Sequence, residues 1–241
     1  MMNQRKKILK FLGIGLYTIG IIIAMVIAIT NFLPDFEAQQ YGFTELTNDS
    51  FNTLRCPSYL GINEVGIIRA SFSNPLDRPI EPIIRIDISS PTLIDSSRQK
   101  INIQPGEKQS VEFQVSSANV DLGHFIFLKV FRYPTYPIPL QEATCGIWVY
   151  NIPGISGGQL LIGGLVSSLI LVVLGIFFWV RSSYPIQDRQ QNQLNYLVFL
   201  AVILAITIFV SLMGWWLVGM VLLVVSILLI LVVLAFLTQA S

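Results

Sequence analysis

The 241-residue chain is 53% hydrophobic and 12% charged, with a formal net charge of +1 and a mean hydropathy of +0.66. An average soluble domain carries about 25% charged residues. The composition therefore excludes an ordinary soluble enzyme, a disordered chain and a basic nucleic-acid-binding protein.

The charges are segregated along the chain. Residues 1–10 carry Arg5, Lys6, Lys7 and Lys10 and no acid, whereas residues 34–153 carry 13 acids and 9 bases. From residue 154 onward only Arg181, Asp188 and Arg189 are charged. Charge in the middle and apolar runs at both ends describe an extramembrane domain held between membrane spans.

Phe11 to Leu33 is uncharged for 23 residues, enough to cross a hydrocarbon core of about 30 Å. A cleaved signal peptide and an uncleaved signal anchor are the two readings of this run. Signal h-regions run about 7–15 residues and end in a small-residue cleavage site. This run is longer and exits through Thr30-Asn31-Phe32-Leu33-Pro34, which favours the anchor. Residues 1–10 are then a cytoplasmic terminus and 11–33 the first span.

Residues 34–153 read as short strands divided by turn signals. Ile68, Ala70 and Phe72 alternate with Arg69 and Ser71 before Asn74-Pro75-Leu76-Asp77. Ile84, Ile86 and Ile88 alternate with Arg85 and Asp87; Ile101 and Ile103 precede the turn Gln104-Pro105-Gly106-Glu107. Val111, Phe113 and Val115 alternate with polar residues, Gly123 opens a run to Tyr133, and Thr144 to Tyr150 closes the segment. Period-two alternation with turns at these intervals predicts an antiparallel sandwich of about seven strands.

The Asn74-to-Pro82 connector, the Pro105-Gly106-Glu107 turn and Gly123 before the Phe125–Val130 strand resemble the immunoglobulin-like or fibronectin type III-like modules of prokaryotic surface proteins. The resemblance covers roughly residues 60–150 and implies binding or spacing rather than chemistry. It departs from antibody-type domains, because the cysteines sit near the two ends of the segment.

Cys56 and Cys145 are the two cysteines of the chain. An even count in a domain placed outside predicts one disulfide; two buried thiols are the other reading. A metal site would need more ligands than two cysteines and the lone His124 supply.

In the run His124 to Arg132, Ile126, Leu128 and Val130 form one face, and Phe125, Phe127, Lys129 and Phe131 the other. With Tyr133, Tyr136, Trp148 and Tyr150 nearby, Phe125, Phe127 and Phe131 make a candidate interaction surface for protein or lipid headgroups. The alternative is that the proline-rich 133–140 loop covers this face.

Gly157 to Val180 is the next span, and 181–194 a cytoplasmic loop. Tyr196 to Thr238 is then uncharged for 43 residues, about 64 Å as one helix, so it must fold back once. Gly214 and the tryptophans Trp215 and Trp216, which favour the interface, put the turn at 213–214. The spans are then 195–212 and 215–238, followed by a cytoplasmic 239–241. Gly164, Ser168, Gly175, Ala201 and Ala205 are small residues at helical spacing that permit close helix contact, within the chain or between copies. Bases near the span ends place both termini in the cytoplasm of a multi-pass plasma-membrane protein, with 34–153 extracytoplasmic.

The expected fold class is thus an α-helical membrane protein with four transmembrane helices and an inserted all-β extracytoplasmic sandwich domain. Residues 34–153 contain no Gly-x-Ser-x-Gly elbow, phosphate loop or His-Glu-x-x-His, motifs that would signal hydrolytic or nucleotide chemistry. Asp87 and Asp95 could meet only in space, and Asn48-Asp49-Ser50 is a lone glycosylation sequon. The spans contain no ionisable pathway residue of the Asp, Glu, His, Lys or Arg type, unlike most ion carriers.

The expected function is a non-enzymatic membrane protein whose Ig-like domain binds or scaffolds another protein, as an accessory subunit of a complex. The expected partners are the lipid bilayer and other membrane or extracytoplasmic proteins, with no cofactor, metal or nucleic acid. The alternative is a signal or force transmitter, since the layout is similar to mechanotransmitting ABC-type membrane subunits and to claudin-like four-span proteins. An outer-facing enzyme would need a pocket built from Asp, Glu, Ser and Tyr alone.

Overall fold

The computed structural model describes residues 2–43, 53–91, 94–184 and 188–238. The Asn48 sequon lies outside the described residues. In chain order the elements are α1 (Met2–Gln40), β1 (Leu54–Arg55), β2 (Tyr59–Gly61), β3 (Gly66–Ser73), β4 (Ile83–Ile88), β5 (Asp95–Lys100), β6 (Lys108–Val115), β7 (Phe125–Arg132), β8 (Gln141–Tyr150), α2 (Gly157–Ser183), α3 (Asp188–Leu212) and α4 (Trp216–Thr238). They form two compact units, a helical one of residues 1–32 and 161–241 and a β domain of residues 33–160.

The β domain contains two sheets, ordered β1-β3-β6 and β2-β8-β7-β4-β5. Alternation on each strand sends one set of side chains inward. Ile68, Ala70 and Phe72 of β3 and Val111 and Val115 of β6 share one apolar cluster with residues of the larger sheet. From that sheet come Ile84 and Ile86 of β4, Ile126, Leu128 and Val130 of β7, and Ile147 and Val149 of β8. Cys56, just after β1, is disulfide-bonded to Cys145 on β8, with Cα atoms 6.6 Å apart. Both cysteines pack against the cluster, so the bond ties the smaller sheet's first strand to the larger sheet.

Three details differ from the sequence expectation. The described strands number eight, because the short β1 and β2 carry too few residues to show a period. β2 runs parallel to β8, whereas an all-antiparallel arrangement was expected. Ile101 and Ile103 lie beyond the strand that pairs with β4: that strand is the polar Asp95–Lys100, and Ile103 instead bridges Ile80.

Asn74 organises the connector and turn that carried the family resemblance. Its amide donates to the carbonyls of Arg78 at 2.8 Å and Ile103 at 3.0 Å, and its Oδ1 accepts from the Leu76 N–H at 3.0 Å. Its own backbone exchanges bonds with Gly106 and Glu107, both at 3.0 Å. Gly106 has φ +71°, in the left-handed region that the tight Pro105-Gly106 turn requires.

Helix α1 extends seven residues past Leu33, the expected end of the first span, and passes through Pro34. Proline lacks the N–H that would bond the carbonyl four residues earlier, but its ring leaves the following turn helical. The helix stops where Gly42 takes φ +83° and the Phe43 N–H reaches back to the Ala38 carbonyl at 3.1 Å, a left-handed C-terminal cap. The turns from Leu33 onward belong to the β domain.

In the helical unit, Gly175 and Gly13 bring α2 and α1 into backbone contact. A Cβ at Gly175 would stand 2.6 Å from the Tyr17 nitrogen, and one at Gly13 2.8 Å from the Trp179 nitrogen. Ser168 Oγ donates to the Gly20 carbonyl at 2.9 Å, and Gly164 faces Ile27. Ala201 packs at the edge of the unit's apolar cluster, while Ala205 is exposed. α3 ends at Leu212 and α4 begins at Trp216, with Gly214 at φ +81° between them.

Among the described residues, three helical stretches are long and apolar enough to cross a membrane: Gln4–Gln40, Gly157–Ser183 and Gln190–Leu212. Trp216–Leu231 is a shorter apolar stretch among the described residues.

Candidate interaction surfaces

The five-stranded sheet has a second face, and its two ends differ in chemistry. Directly opposed pairs share a face, so Phe125 and Trp148, Phe127 and Gly146, Lys129 and Thr144, and Phe131 and Glu142 all lie here.

The aromatic end is covered by the chain itself. Phe127 is fully buried and Phe125 is 4% exposed, clustered with Leu33, Ala38, Phe43 and Trp148. Tyr41 stacks on Phe127 with ring centroids 5.9 Å apart, and Phe43 lies 5.8 Å from the same ring. The last turns of α1 occupy the face through Pro34, which lies against Gly146. Asp35 Oδ1 accepts the Gly146 N–H at 2.7 Å, and Gln39 reaches the Thr144 hydroxyl at 3.4 Å. The expectation of an exposed Phe125–Phe127 surface is therefore corrected. The cover is the end of α1, not the 133–140 loop, because Ala38 and Leu33 of α1 pack in the same apolar cluster as Phe125 and Phe127.

The other predicted surface residues scatter. Phe131, Tyr133, Trp148 and Tyr150 are half-buried, and only Tyr136, 86% exposed, projects freely. Trp148 closes the aromatic end edge-on to Phe125 at 5.2 Å. The Tyr150 hydroxyl donates to the Ile155 carbonyl at 2.8 Å. Burial, with the nearby Glu64 carboxylate, pushes that phenol above its usual pKa. His124 precedes β7 in an exposed turn, against Phe125 and Trp148.

The charged end holds a buried ion pair: Lys129 Nζ lies 2.9 Å from Glu142 Oε2, both almost fully covered. Lys129 and Arg85 both sit over the Phe131 ring, 4.6 and 5.4 Å from its centre. Asp87 Oδ1 accepts from Arg85 Nε at 2.7 Å and from Ser96 Oγ at 2.6 Å. The Asp87 bond, then that of Tyr133, holds the Arg85 guanidinium above its ordinary pKa. Asp95 pairs with Ile88, one register step from Asp87. Successive residues point to opposite faces, so the two aspartates do not form a carboxylate pair.

At the end of the core face Arg132 is 4% exposed, with Nη1 3.2 Å from Gln141 Oε1 and 3.4 Å from the Ser73 carbonyl. Its Nε and Nη2 have no hydrogen-bond partner among the described residues. Burial lowers the pKa of this guanidinium.

Strand β5 ends the larger sheet beside β4, and no further strand pairs with it among the described residues. All six of its residues are exposed. Arg98 lies opposite Arg85, and Lys100 opposite the 44%-exposed Ile83. Lys100 also pairs with Glu81 at 2.5 Å. Sequence reading missed this edge because Asp-Ser-Ser-Arg-Gln-Lys has no apolar residue to mark a period. Among the described residues, no group of three His, Cys, Asp or Glu side chains is placed to hold a metal ion. In the helical unit Trp215 is 63% exposed and Trp216 half-buried.

No family model matches the chain, and no curated protein matches it. Among solved structures it is similar to a Paenibacillus sp. cycloisomaltooligosaccharide glucanotransferase, at 15% identity and a TM-score of 0.34 over 43% of this chain and 14% of that one. It is similar also to a Bacteroides uniformis β-glucuronidase, at 12% identity and TM-score 0.32 over 40% of this chain and 12% of that one. The CARDB domain of a Pyrococcus furiosus protein matches at 9% identity and TM-score 0.31, over 41% of this chain and 90% of that one. The chain thus spans a small part of the sugar-processing enzymes it matches, and likenesses of this size carry no argument about its activity.

Proposed function

We propose that the protein is a four-span membrane scaffold whose extracytoplasmic, Ig-like β-sandwich binds another protein rather than catalysing a reaction. Three long apolar helices and the 23-residue α4 support the span count. The Cys56–Cys145 bond supports an oxidising, extracytoplasmic setting for the β domain, since such bonds are rare in reducing compartments.

The observation that carries the reading is the edge strand β5, whose six residues are all exposed and beside which no further strand pairs among the described residues. An unpaired edge presents a row of backbone donors and acceptors, to which an extended peptide can add as a further strand. The side chains beside it are basic on one face, Arg98 and Lys100 with Arg85 behind. The partner is accordingly an extended segment of an extracytoplasmic or membrane protein with an acidic residue opposite Arg98.

A photo-crosslinking residue at Ser97, in the full chain in native membranes, tests this. It should capture a discrete partner that the same group at Ser110, on the smaller sheet, does not. Arg98→Glu should reduce the Ser97 product several-fold. Equal products from both positions, or none from Ser97, would rule out edge recognition.

A further inference from the structure

We propose that the helical unit holds one anionic phospholipid in a groove at its basic end, with the headgroup at Lys10, Asn192 and Gln193 and an acyl chain in the apolar depth. The proposal rests on the helical unit lying in a bilayer. It is independent of what the β domain binds.

The groove has a volume of about 630 Å³ and is walled by all four helices, a size within the usual range for small-molecule sites. Its chemistry changes along its length. Asn192, Gln193 and Tyr196, in the first turns of α3, line one end, whereas Ile21, Met25 and Leu200 line the other. The close contact at Gly13 and Gly175 shapes the α1–α2 wall.

The polar end coincides with the chain's positive charge. Lys6, Lys10, Gly13 and Tyr17 succeed one another at three- and four-residue steps, so they share a face of α1, and Gly13 and Tyr17 line the groove. Lys6 Nζ donates to the Tyr184 carbonyl at 3.2 Å, which places that ammonium beyond the end of α2. Arg181 is exposed two residues past Trp179, a wall residue. Six bases, at positions 5, 6, 7, 10, 181 and 189, flank this end in sequence against the single acid Asp188.

A neutral lipid would leave that charge unanswered, and a soluble anion would leave the apolar depth unfilled. An anionic phospholipid satisfies both, as basic pockets between membrane helices do for acidic headgroups. The amides of Asn192 and Gln193 can donate to phosphate or glycerol oxygens.

Native mass spectrometry of the full chain in detergent, titrated with phosphatidylglycerol or phosphatidylcholine of identical acyl chains, tests the site. One phosphatidylglycerol should bind about tenfold more tightly than phosphatidylcholine. Lys10→Gln should lower that preference about fivefold, and Gln193→Leu should lower it further. Ile14→Trp, or Ile22→Trp if the first fails to fold, fills the groove from a partly exposed wall position and should reduce both lipids alike. Glycerol phosphate at the same concentration should not displace the bound lipid. Equal affinity for the two lipids, a preference that survives both polar variants, or displacement by glycerol phosphate would each overturn the proposal. Carbonate extraction of cell membranes checks separately that the chain is embedded.

Discussion

Gly146 lies beneath Pro34 so closely that any side chain at 146 would occupy the position of the Pro34 carbonyl group. The Gly146 N–H donates to Oδ1 of the next residue, Asp35. A glycine in a strand interior costs conformational entropy and packs no side chain, and it commonly marks close approach of another backbone. Here that backbone is the last turns of α1, and the contact converts an aromatic sheet face into a second core.

Gly146→Ala should therefore destabilise the β domain although alanine suits most strands better. The atoms in the way are backbone, which cannot rotate aside, so the loss should be at least the roughly 1–3 kcal/mol of ordinary overpacking. Urea denaturation of the full chain in detergent, followed by tryptophan emission, checks this. Trp148 borders the contact and should shift to longer wavelength. An unchanged midpoint and spectrum would show that α1 does not depend on this seat.

The Cys56–Cys145 bond encloses 88 intervening residues, and closing a loop of that length contributes about 4–5 kcal/mol in the chain-entropy model. Cys56→Ser and Cys145→Ser should each lower stability by most of that amount. The double variant should be no worse than the more damaging single one, because both remove the same bond. Additive losses in the same denaturation experiment would instead assign the effect to packing of the two sulfur positions.

Lys129 and Glu142 form a pair that is nearly devoid of solvent. Removing one partner strands the other charge, at a cost of about 3–5 kcal/mol. Glu142→Gln should show a loss of that order, whereas Lys129→Met combined with Glu142→Leu should recover most of it. A double variant as unstable as the single one would mean that the pair's further hydrogen bonds, rather than its charges, hold this end of the sheet.

The strands legible in the sequence were those buried on one side. Ile68-Arg69-Ala70-Ser71-Phe72 and Val111 to Val115 alternate because one face meets the core. β5 escaped detection because it is exposed on both faces, and a strand without a buried face has no hydrophobic period. The end of α1 escaped for a different reason. Pro34 reads as a stop after an apolar run, and Asp35, Glu37, Gln39 and Gln40 resemble a solvated linker. Proline forbids one hydrogen bond but not the helix that follows it.

The candidate site divided in the same manner. The sequence correctly marked Phe125 and Phe127 as an apolar face opposite Ile126 and Leu128, since alternation is a local property. It could not say what lies on that face, because the cover begins at Leu33, some 90 residues away along the chain.

The low charge, the apolar runs and the segregation of bases from acids determine by themselves a membrane-associated chain with a polar insert. These are properties of composition and of neighbours along the backbone, and they need no fold to act. Tertiary structure alone decided that Cys56 meets Cys145, that the end of α1 covers the aromatic face and that β5 stands at an edge of the larger sheet, unpaired on one side among the described residues. Burial and pairing depend on which distant surfaces meet, and only the closed sheets bring those surfaces together.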